Sequence, residues 1–299
     1  MIPKKANHLL YGYGFALGAT ALWSGNFIVA RGLTEAIPPV SLAFFRWLTA
    51  VLVFAPFAVK GFAREWPLLR QHLMYMAVTA FLGVTCFNTF IYVAGHTTTA
   101  MNLSLIAITF PVFVVVFSRI FFKEVLTGKK LAGIVVVLIG VICLITRGDI
   151  AVLLGISFVA GDLWMLAAAV IFAVFSILLK HKPDNISVYS FQFTLFCMGL
   201  IFLLPMFIWE QAGFAQQVLT RTTLPAILYV GIFASLCAFL FWNRAIMTLG
   251  PTRAGMIYYT LPLFSGVLAF LFLGESIGPV HGVSLVLIVT GIVLASRGS

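Results

Sequence analysis

The sequence predicts an all-α polytopic membrane protein whose ten transmembrane helices form two inverted five-helix repeats, and three observations carry that prediction. Apolar stretches of about 19 to 25 residues recur along the 299-residue chain, each long enough at 1.5 Å per residue to cross a hydrocarbon layer about 30 Å thick. Residues 86 to 142 match residues 237 to 293 without a gap at an offset of 151, with 13 identities in 57 pairs. Basic residues alternate between sparse and dense from one inter-span segment to the next.

The first span, 9 to 31, follows Lys4 and Lys5 and contains Ala19-Thr20-Ala21, which could be taken for a signal-peptide cleavage site. At an offset of 149, however, Trp23 aligns with Phe172 and Arg31 with Lys180, so this stretch is the partner of an internal helix and is expected to stay. The second span, 39 to 60, aligns with the seventh, 186 to 209, through Ser41 with Ser190 and Pro56 with Pro205. The third, 71 to 93, corresponds to the eighth, 224 to 247. The fourth, 97 to 121, matches the ninth, 252 to 273, through Thr109 with Thr260 and Pro111 with Pro262, followed by Glu124 with Glu275. The fifth, 128 to 146, matches the tenth, 278 to 296, through Gly140 with Gly291. The sixth, 160 to 180, opens the second copy. The chain therefore divides into a repeat over 1–146 and a second over 160–299. Five helices is an odd number, so the second copy enters the bilayer upside down, an arrangement typical of secondary transporters.

With the N-terminus in the cytoplasm, the outer ends and loops hold only Arg31, Arg147 and Arg221, against thirteen Lys and Arg at the inner ends and loops; the positive-inside rule then places both termini inside. Residues are 62% hydrophobic and 9% charged, with a mean hydropathy of +1.13, whereas a soluble globular chain is about 25% charged. The net charge of +10 is scattered singly or in pairs between spans, so nucleic acid is not an expected partner. Cys86, Cys143, Cys197 and Cys237 all fall inside apolar spans, which argues against a disulfide framework or a metal site. No cofactor is implied. The longest connections, about 147–159 and 210–223, are too short for a soluble domain, and function is left to the helix bundle.

Each half carries Thr-x-Pro-x-Phe in its fourth helix and a Glu 13 residues after the Pro. With Trp23 in the first helix, Phe45-Arg46 in the second, Phe122-Lys123-Glu124, Leu273-Gly274-Glu275, Gly140 and Gly291, the chain resembles the EamA-type repeat of the drug/metabolite transporter (DMT) superfamily over nearly its whole length. It looks most like the ten-helix YddG-type amino-acid exporters, although the counterpart of Arg46 in the second half is Leu195. The resemblance implies a carrier of the bacterial inner membrane that exports amino acids or related metabolites, working as a monomer or homodimer.

Pro111 and Pro262 stand mid-helix, where each removes a backbone hydrogen bond and frees the carbonyl of Ala107 or Tyr258; they are candidate hinges, or static kinks, at the bundle centre. Arg46 is the one basic residue well inside a span. It can hold a substrate carboxylate or pair with helix-end carbonyls. Glu124, Glu275 and Asp162 lie at helix ends, where a carboxylate favours the positive N-terminus of a helix. No Asp or Glu lies mid-span, which disfavours proton relays and organic-cation sites, and no cluster of Lys or Arg suits a phosphorylated substrate. A neutral or zwitterionic small molecule fits what remains. The other candidates at membrane depth are Trp23, Asn26, Asn88, Tyr92, Asn102, Ser104, Trp164, Asn243, Tyr258 and Tyr259; each can instead bond a neighbouring helix or join the interfacial aromatic belt, and Trp164 and Trp242 fit the belt most readily. Gly14-x-x-x-Gly18 and Gly278-x-x-x-Gly282 fit close helix packing.

These residues predict a secondary transporter of small metabolites, neutral and aromatic amino acids foremost, acting by alternating access. A drug or other metabolite exporter is the alternative. No Gly-x-Ser-x-Gly, His-Glu-x-x-His or paired carboxylates occur, and His96 and His281 lack a nucleophile nearby in sequence, so an intramembrane enzyme is not expected. A channel or scaffold would share the helices but not a bistable cavity.

Overall fold

A computed structural model describes residues 4–32, 36–98, 100–155, 157–213, 218–273 and 278–297. Among them every regular element is a helix and no strand forms. The helices are α1 (Lys4–Gly32), α2 (Pro39–Leu69), α3 (Leu73–Ala80), α4 (Phe87–Thr97), α5 (Ala100–Ala107), α6 (Phe110–Phe122), α7 (Gly128–Ile145) and the short α8 (Ile150–Leu154). They continue as α9 (Ala160–Lys180), α10 (Val188–Ala212), α11 (Leu224–Tyr229), α12 (Ala238–Leu249), α13 (Pro251–Tyr258), α14 (Leu261–Leu273) and α15 (Pro279–Arg297). Two π-helical segments, Phe81–Cys86 and Val230–Cys237, join α3 to α4 and α11 to α12. Their last residues are 151 apart (237 − 86 = 151), the offset of the sequence repeat.

Among the described residues, seven helical runs, not ten, are long and apolar enough to cross a membrane. The first covers 59 residues, Pro39–Thr97, close to 90 Å at 1.5 Å per residue, and must cross more than once. It doubles back at a 3₁₀ turn, Arg70–His72. Arg46 Nη1 donates to Tyr92 Oη at 2.7 Å, and both residues lie 23 positions from Leu69 (69 − 46 = 92 − 69 = 23). Helix α2 runs nine residues past the expected end at 60. Lys60, Arg64 and Glu65 lower the local hydropathy there, but Ala, Arg, Glu and Leu are strong helix formers and carry the helix into Leu69.

Two pairs of counterpart helices pack on each other, α2 with α10 and α7 with α15. Helices α2 and α10 lie antiparallel and are tied at both ends. Glu210 near the end of α10 accepts from Val40 N at 3.0 Å, Ser41 N at 2.6 Å and Ser41 Oγ at 2.7 Å, while Glu65 near the end of α2 accepts from Ser187 N at 2.9 Å. Each carboxylate thus caps the start of the other helix, where backbone N–H groups lack partners and the dipole is positive. Helices α7 and α15 meet along a glycine seam. A Cβ on Gly133 would lie 2.4 Å from Ala295 N and 2.7 Å from Gly291 O, and one on Gly291 only 2.5 Å from Val137 Cγ2. The outer side of this pair exposes Leu131, Val135, Ile139, Val286 and Val289, an apolar face suited to lipid.

The expected glycine contacts lie elsewhere than predicted. Gly14, Gly278 and Gly282 have nothing within 4 Å of a built Cβ, and only Gly18, against Phe241, is close. Spacing alone does not say which way a glycine points, and these three face open space.

Candidate functional site

Arg46 sits in the second turn of α2 and is 0% exposed. Its Nε donates to Ser235 Oγ, its Nη2 to the Ala234 carbonyl at 3.0 Å, and its Nη1 to Tyr92 Oη at 2.7 Å and Asn26 Oδ1 at 3.3 Å. The guanidinium carbon lies 5.2 Å from the Trp47 ring centroid and 5.9 Å from that of Tyr92, within cation–π range. All these partners are neutral. The ion pairs formed among the described residues, Arg64 with Glu65 and Lys130 with Glu124, do not involve Arg46.

The π segment makes this arrangement possible. Widening a helix by one residue per turn shifts its carbonyls out of the ordinary ladder and offers them to side chains. Ser235 Oγ donates five residues back to Val230 O at 2.7 Å, and Ala234 O accepts from both Arg46 Nη2 and Trp23 Nε1, the latter at 2.9 Å. Gly231 lets α2 come close, since a Cβ there would lie 2.5 Å from Thr49 Cβ.

Beside this cluster the bundle centre is closed by aromatic rings from both halves. Trp23 lies 5.3 Å from Phe172 and from Trp242, 5.7 Å from Phe239 and 6.2 Å from Tyr258; Phe110 lies 4.8 Å from both Phe172 and Tyr258. Trp23 and Phe172, counterparts in the repeat, touch edge to face. Trp242 is no belt residue: it is fully buried and its Nε1 donates to Ser176 Oγ at 3.1 Å.

Each of the two proline helices is interrupted for two residues just before its proline, while the backbone there keeps right-handed dihedrals (Thr109 φ −75°, ψ −21°; Tyr259 φ −62°, ψ −12°). Helix α5 stops at Ala107 and α6 starts at Phe110; α13 stops at Tyr258 and α14 starts at Leu261. Pro111 and Pro262 thus fall in the first turn of a new helix, where a missing N–H costs nothing. Thr109 donates from both N and Oγ1 to Ile106 O, at 3.0 and 2.7 Å, and Thr260 does the same to Ile257 O, at 2.9 and 2.7 Å. The Thr-x-Pro signature therefore encodes a tight turn: the Thr closes it and the Pro bars its conversion to continuous helix. Pro111→Ala and Pro262→Ala should let each helix run through, raising thermal stability slightly and cutting transport severalfold. Flux at the parental rate in both variants would show that the breaks play no part in the cycle.

The structure gathers Trp23, Asn26, Arg46, Tyr92 and Tyr258 in or against the cluster and its aromatic neighbours. Tyr259 is fully buried with its hydroxyl unpartnered, and Asn88 is buried with Nδ2 unpartnered. Asn243 donates to Gln192 Oε1 at 3.1 Å, one residue from Trp242. Asn102 lies apart, donating to Ser157 O at 3.0 Å and to Asp162 Oδ2 at 2.9 Å; Asp162, which also accepts from Val159 N at 2.8 Å, caps α9. Ser104 is half-buried on α5 and makes none of these contacts. Trp164 is 43% exposed and packs edge-on against Phe90 at 4.8 Å, in keeping with a belt position. Sequence reasoning missed Ser235, Ser176, Gln192, Phe172 and Phe239. The repeat could have found two of these positions, since Phe172 is the counterpart of Trp23 and Phe239 that of Asn88; Ser235, Ser176 and Gln192 map onto Val84, Phe27 and Ala43, which gave no signal.

A second polar spot lies beyond the loop after α6. Glu124 Oε2 accepts from Lys130 Nζ at 3.0 Å and from Thr252 Oγ1 at 2.7 Å. Lys130, at the expected inner end of the fifth span, is 2% exposed on the wall of a cavity of about 430 Å³ shared with Arg253. Glu124 thus forms an ion pair with Lys130 in the first turn of α7, while Glu275 lies outside the described residues.

Comparison with known proteins adds to this geometry. The profile of the EamA-like transporter family matches residues 10–146 and again 159–297. An uncharacterized transporter of Archaeoglobus fulgidus is 30% identical over 85% of this chain and 86% of its own, and the uncharacterized transporter YyaM of Bacillus subtilis is 24% identical over 95% and 93%. A protein of Streptantibioticus cattleyicolor described as a "probable terminal-alkyne amino-acid exporter" is 27% identical over 66% of this chain and 64% of its own. A crystal structure superposes with a TM-score of 0.73 over 97% of this chain and 96% of its own, at 21% identity, which speaks to the fold alone.

Proposed function

Because the chain belongs to the EamA-like transporter family of membrane-spanning carriers, we propose that it moves small neutral amino acids, aromatic ones included, by alternating access across a bacterial inner membrane. The observation that carries this reading is Arg46, a fully buried guanidinium whose hydrogen bonds all go to neutral groups. Burying a charge without a counter-charge is costly, and a carboxylate arriving with the substrate would offset that cost. The substrate's ammonium can meet the aromatic faces of Trp23, Trp242 or Tyr258, so little net charge is buried. The amino-acid exporter among the relatives is consistent with this cargo.

We further read the chain as ten crossings in two inverted repeats, with both termini cytoplasmic. Supporting this are the antiparallel counterparts α2 and α10, the π segments ending 151 residues apart, the helix breaks at Thr109 and Thr260, and a family profile that matches once in each half. An apolar groove of about 870 Å³ lined by α5, α6, α7 and α9 favours an apolar drug-like compound as the second reading of the cargo.

Counter-flow of labelled methionine and phenylalanine into proteoliposomes tests the proposal. Saturable exchange is expected, altered little by an imposed pH gradient, because no carboxylate lies mid-span to carry a proton. Exchange of apolar drugs without amino acids would turn the reading to the second cargo. Strict dependence on the pH gradient would implicate Glu124, Asp162 or a histidine.

A further inference from the structure

We propose that Gln192 and Asn243 form a second, uncharged substrate subsite, placed at the opposite end of the path from Arg46. This rests on the amino-acid reading above. Asn243, in α12, donates from Nδ2 to Gln192 Oε1, in α10, at 3.1 Å. Both residues are 0% exposed, yet Gln192 Nε2 and Asn243 Oδ1 have no hydrogen-bond partner. Whichever way the two amides face, one bond between them leaves one NH₂ and one carbonyl unpaired. A buried donor and acceptor left unpaired cost stability, so their persistence side by side points to a ligand that supplies one of each. A zwitterionic amino acid does so, its carboxylate accepting from the NH₂ and its ammonium donating to the carbonyl.

Position gives the independent argument. Asn243 is the repeat counterpart of Tyr92 (243 − 92 = 151), which binds Arg46; Leu195, the counterpart of Arg46, lies one helical turn from Gln192 on α10. The two polar groups therefore occupy corresponding sites in the two halves. Arg46 is near the start of α2 and Gln192 near the start of α10, and because these helices are antiparallel the sites fall at opposite ends of the pair. Ser235, which bonds Arg46, and Asn243 stand eight residues apart along one helical run, so the two sites are distinct. Between them lie Trp23, which shares the Ala234 carbonyl with Arg46, and Trp242, 5.3 Å from Trp23 and adjacent to Asn243 in the chain. Substrate released from the guanidinium passes the tryptophan pair and meets the amides, which hold it by neutral hydrogen bonds and release it more readily than a charge would.

Counter-flow of labelled methionine in proteoliposomes of known orientation, with Gln192→Met, Asn243→Leu and the double variant, tests this. The half-saturation concentration should rise about tenfold when methionine is presented at the Asn243 end and stay near parental at the Arg46 end, a difference matching the loss of about one hydrogen bond to a charged ligand. The melting temperature should hold or rise, since apolar replacement removes unpaired buried polar atoms. Parental half-saturation at both ends overturns the subsite while leaving the amino-acid reading intact; so does a fall in melting temperature without a change in half-saturation. If the double variant does not fold, Gln192→Met alone decides by the same readouts. A parent protein that exchanges no amino acid overturns both.

Discussion

Replacing Arg46 by Met should raise the half-saturation concentration for methionine about a hundredfold, while the purified protein still folds and melts within a few degrees of the parent. The transport loss follows from removing two charge-assisted bonds to a carboxylate, each worth about 1.5–3 kcal/mol. The tolerance follows from the neighbours, each of which keeps another bond when the guanidinium goes. Tyr92 Oη still donates to Asn26 Oδ1 at 3.3 Å, Ser235 Oγ to Val230 O at 2.7 Å, and Ala234 O still accepts from Trp23 at 2.9 Å. Met also spares the fold a buried charge with no counter-charge, a change that is often neutral or stabilising. Arg46→Lys should recover part of the affinity, because an ammonium keeps the charge but not the planar fork. A collapse in melting temperature, with normal half-saturation in whatever protein survives, would make Arg46 a structural anchor and remove the carboxylate from the argument.

Gly291→Val should lower the melting temperature by several degrees, and Gly133→Val should do the same. Even the first carbon of a side chain at Gly291 would lie 2.7 Å from Gly133 O and 2.7 Å from Val137 N, and backbone cannot move aside as a side-chain tip can. Overpacking of this kind costs about 1–3 kcal/mol or more. Gly282→Ala, with open space around it, serves as the control and should melt like the parent. Thermal unfolding in detergent checks all three; equal melting temperatures would mean that α7 and α15 are not held by their glycine seam.

Much of the fold was legible because hydropathy and the repeat speak to length and order. The limits of α9 fall where expected, at Ala160 and Lys180, and those of α7 within one residue. The end of α2 was missed because hydropathy tracks transfer into lipid, whereas a helix continues into water wherever its residues favour it. Pro111 and Pro262 were expected as kinks or hinges, and each helix is interrupted just before its proline; the sequence pattern does not reveal that Thr109 and Thr260 close a turn two residues earlier. The glycine contacts went astray for a related reason: a small-x-x-x-small spacing defines a helix stripe, and only tertiary packing decides whether that stripe faces a neighbour, as at Gly133, or empty space, as at Gly282.

For the site, Arg46 stood out because a charge at that depth is rare, and Asn26, Tyr92 and Trp23 were picked out as polar or aromatic groups at similar depth. What joins them is Ala234 and Ser235 on a π-helical turn, and apolar sequence carries no mark of such a turn. Trp242 was assigned to the interface because it lies near a span end. Near the end of a crossing helix, a tryptophan that points inward and one that points outward look alike until the neighbouring helices are in place.

The reciprocal carboxylates on α2 and α10 have a mechanical meaning. An antiparallel pair pinned by Glu210 at one end and Glu65 at the other behaves as a strut that spans the molecule and belongs to neither repeat alone. Sliding one helix along the other by a single turn, about 5.4 Å, would pull both carboxylates off their amides together, so this pair resists shear. In the alternating-access cycle proposed above, this pair would act as a fulcrum rather than let the two halves swing as separate blocks, and the helices that already carry joints, those interrupted at Thr109 and Thr260 and the π-widened pair that bears Ala234, would be the levers.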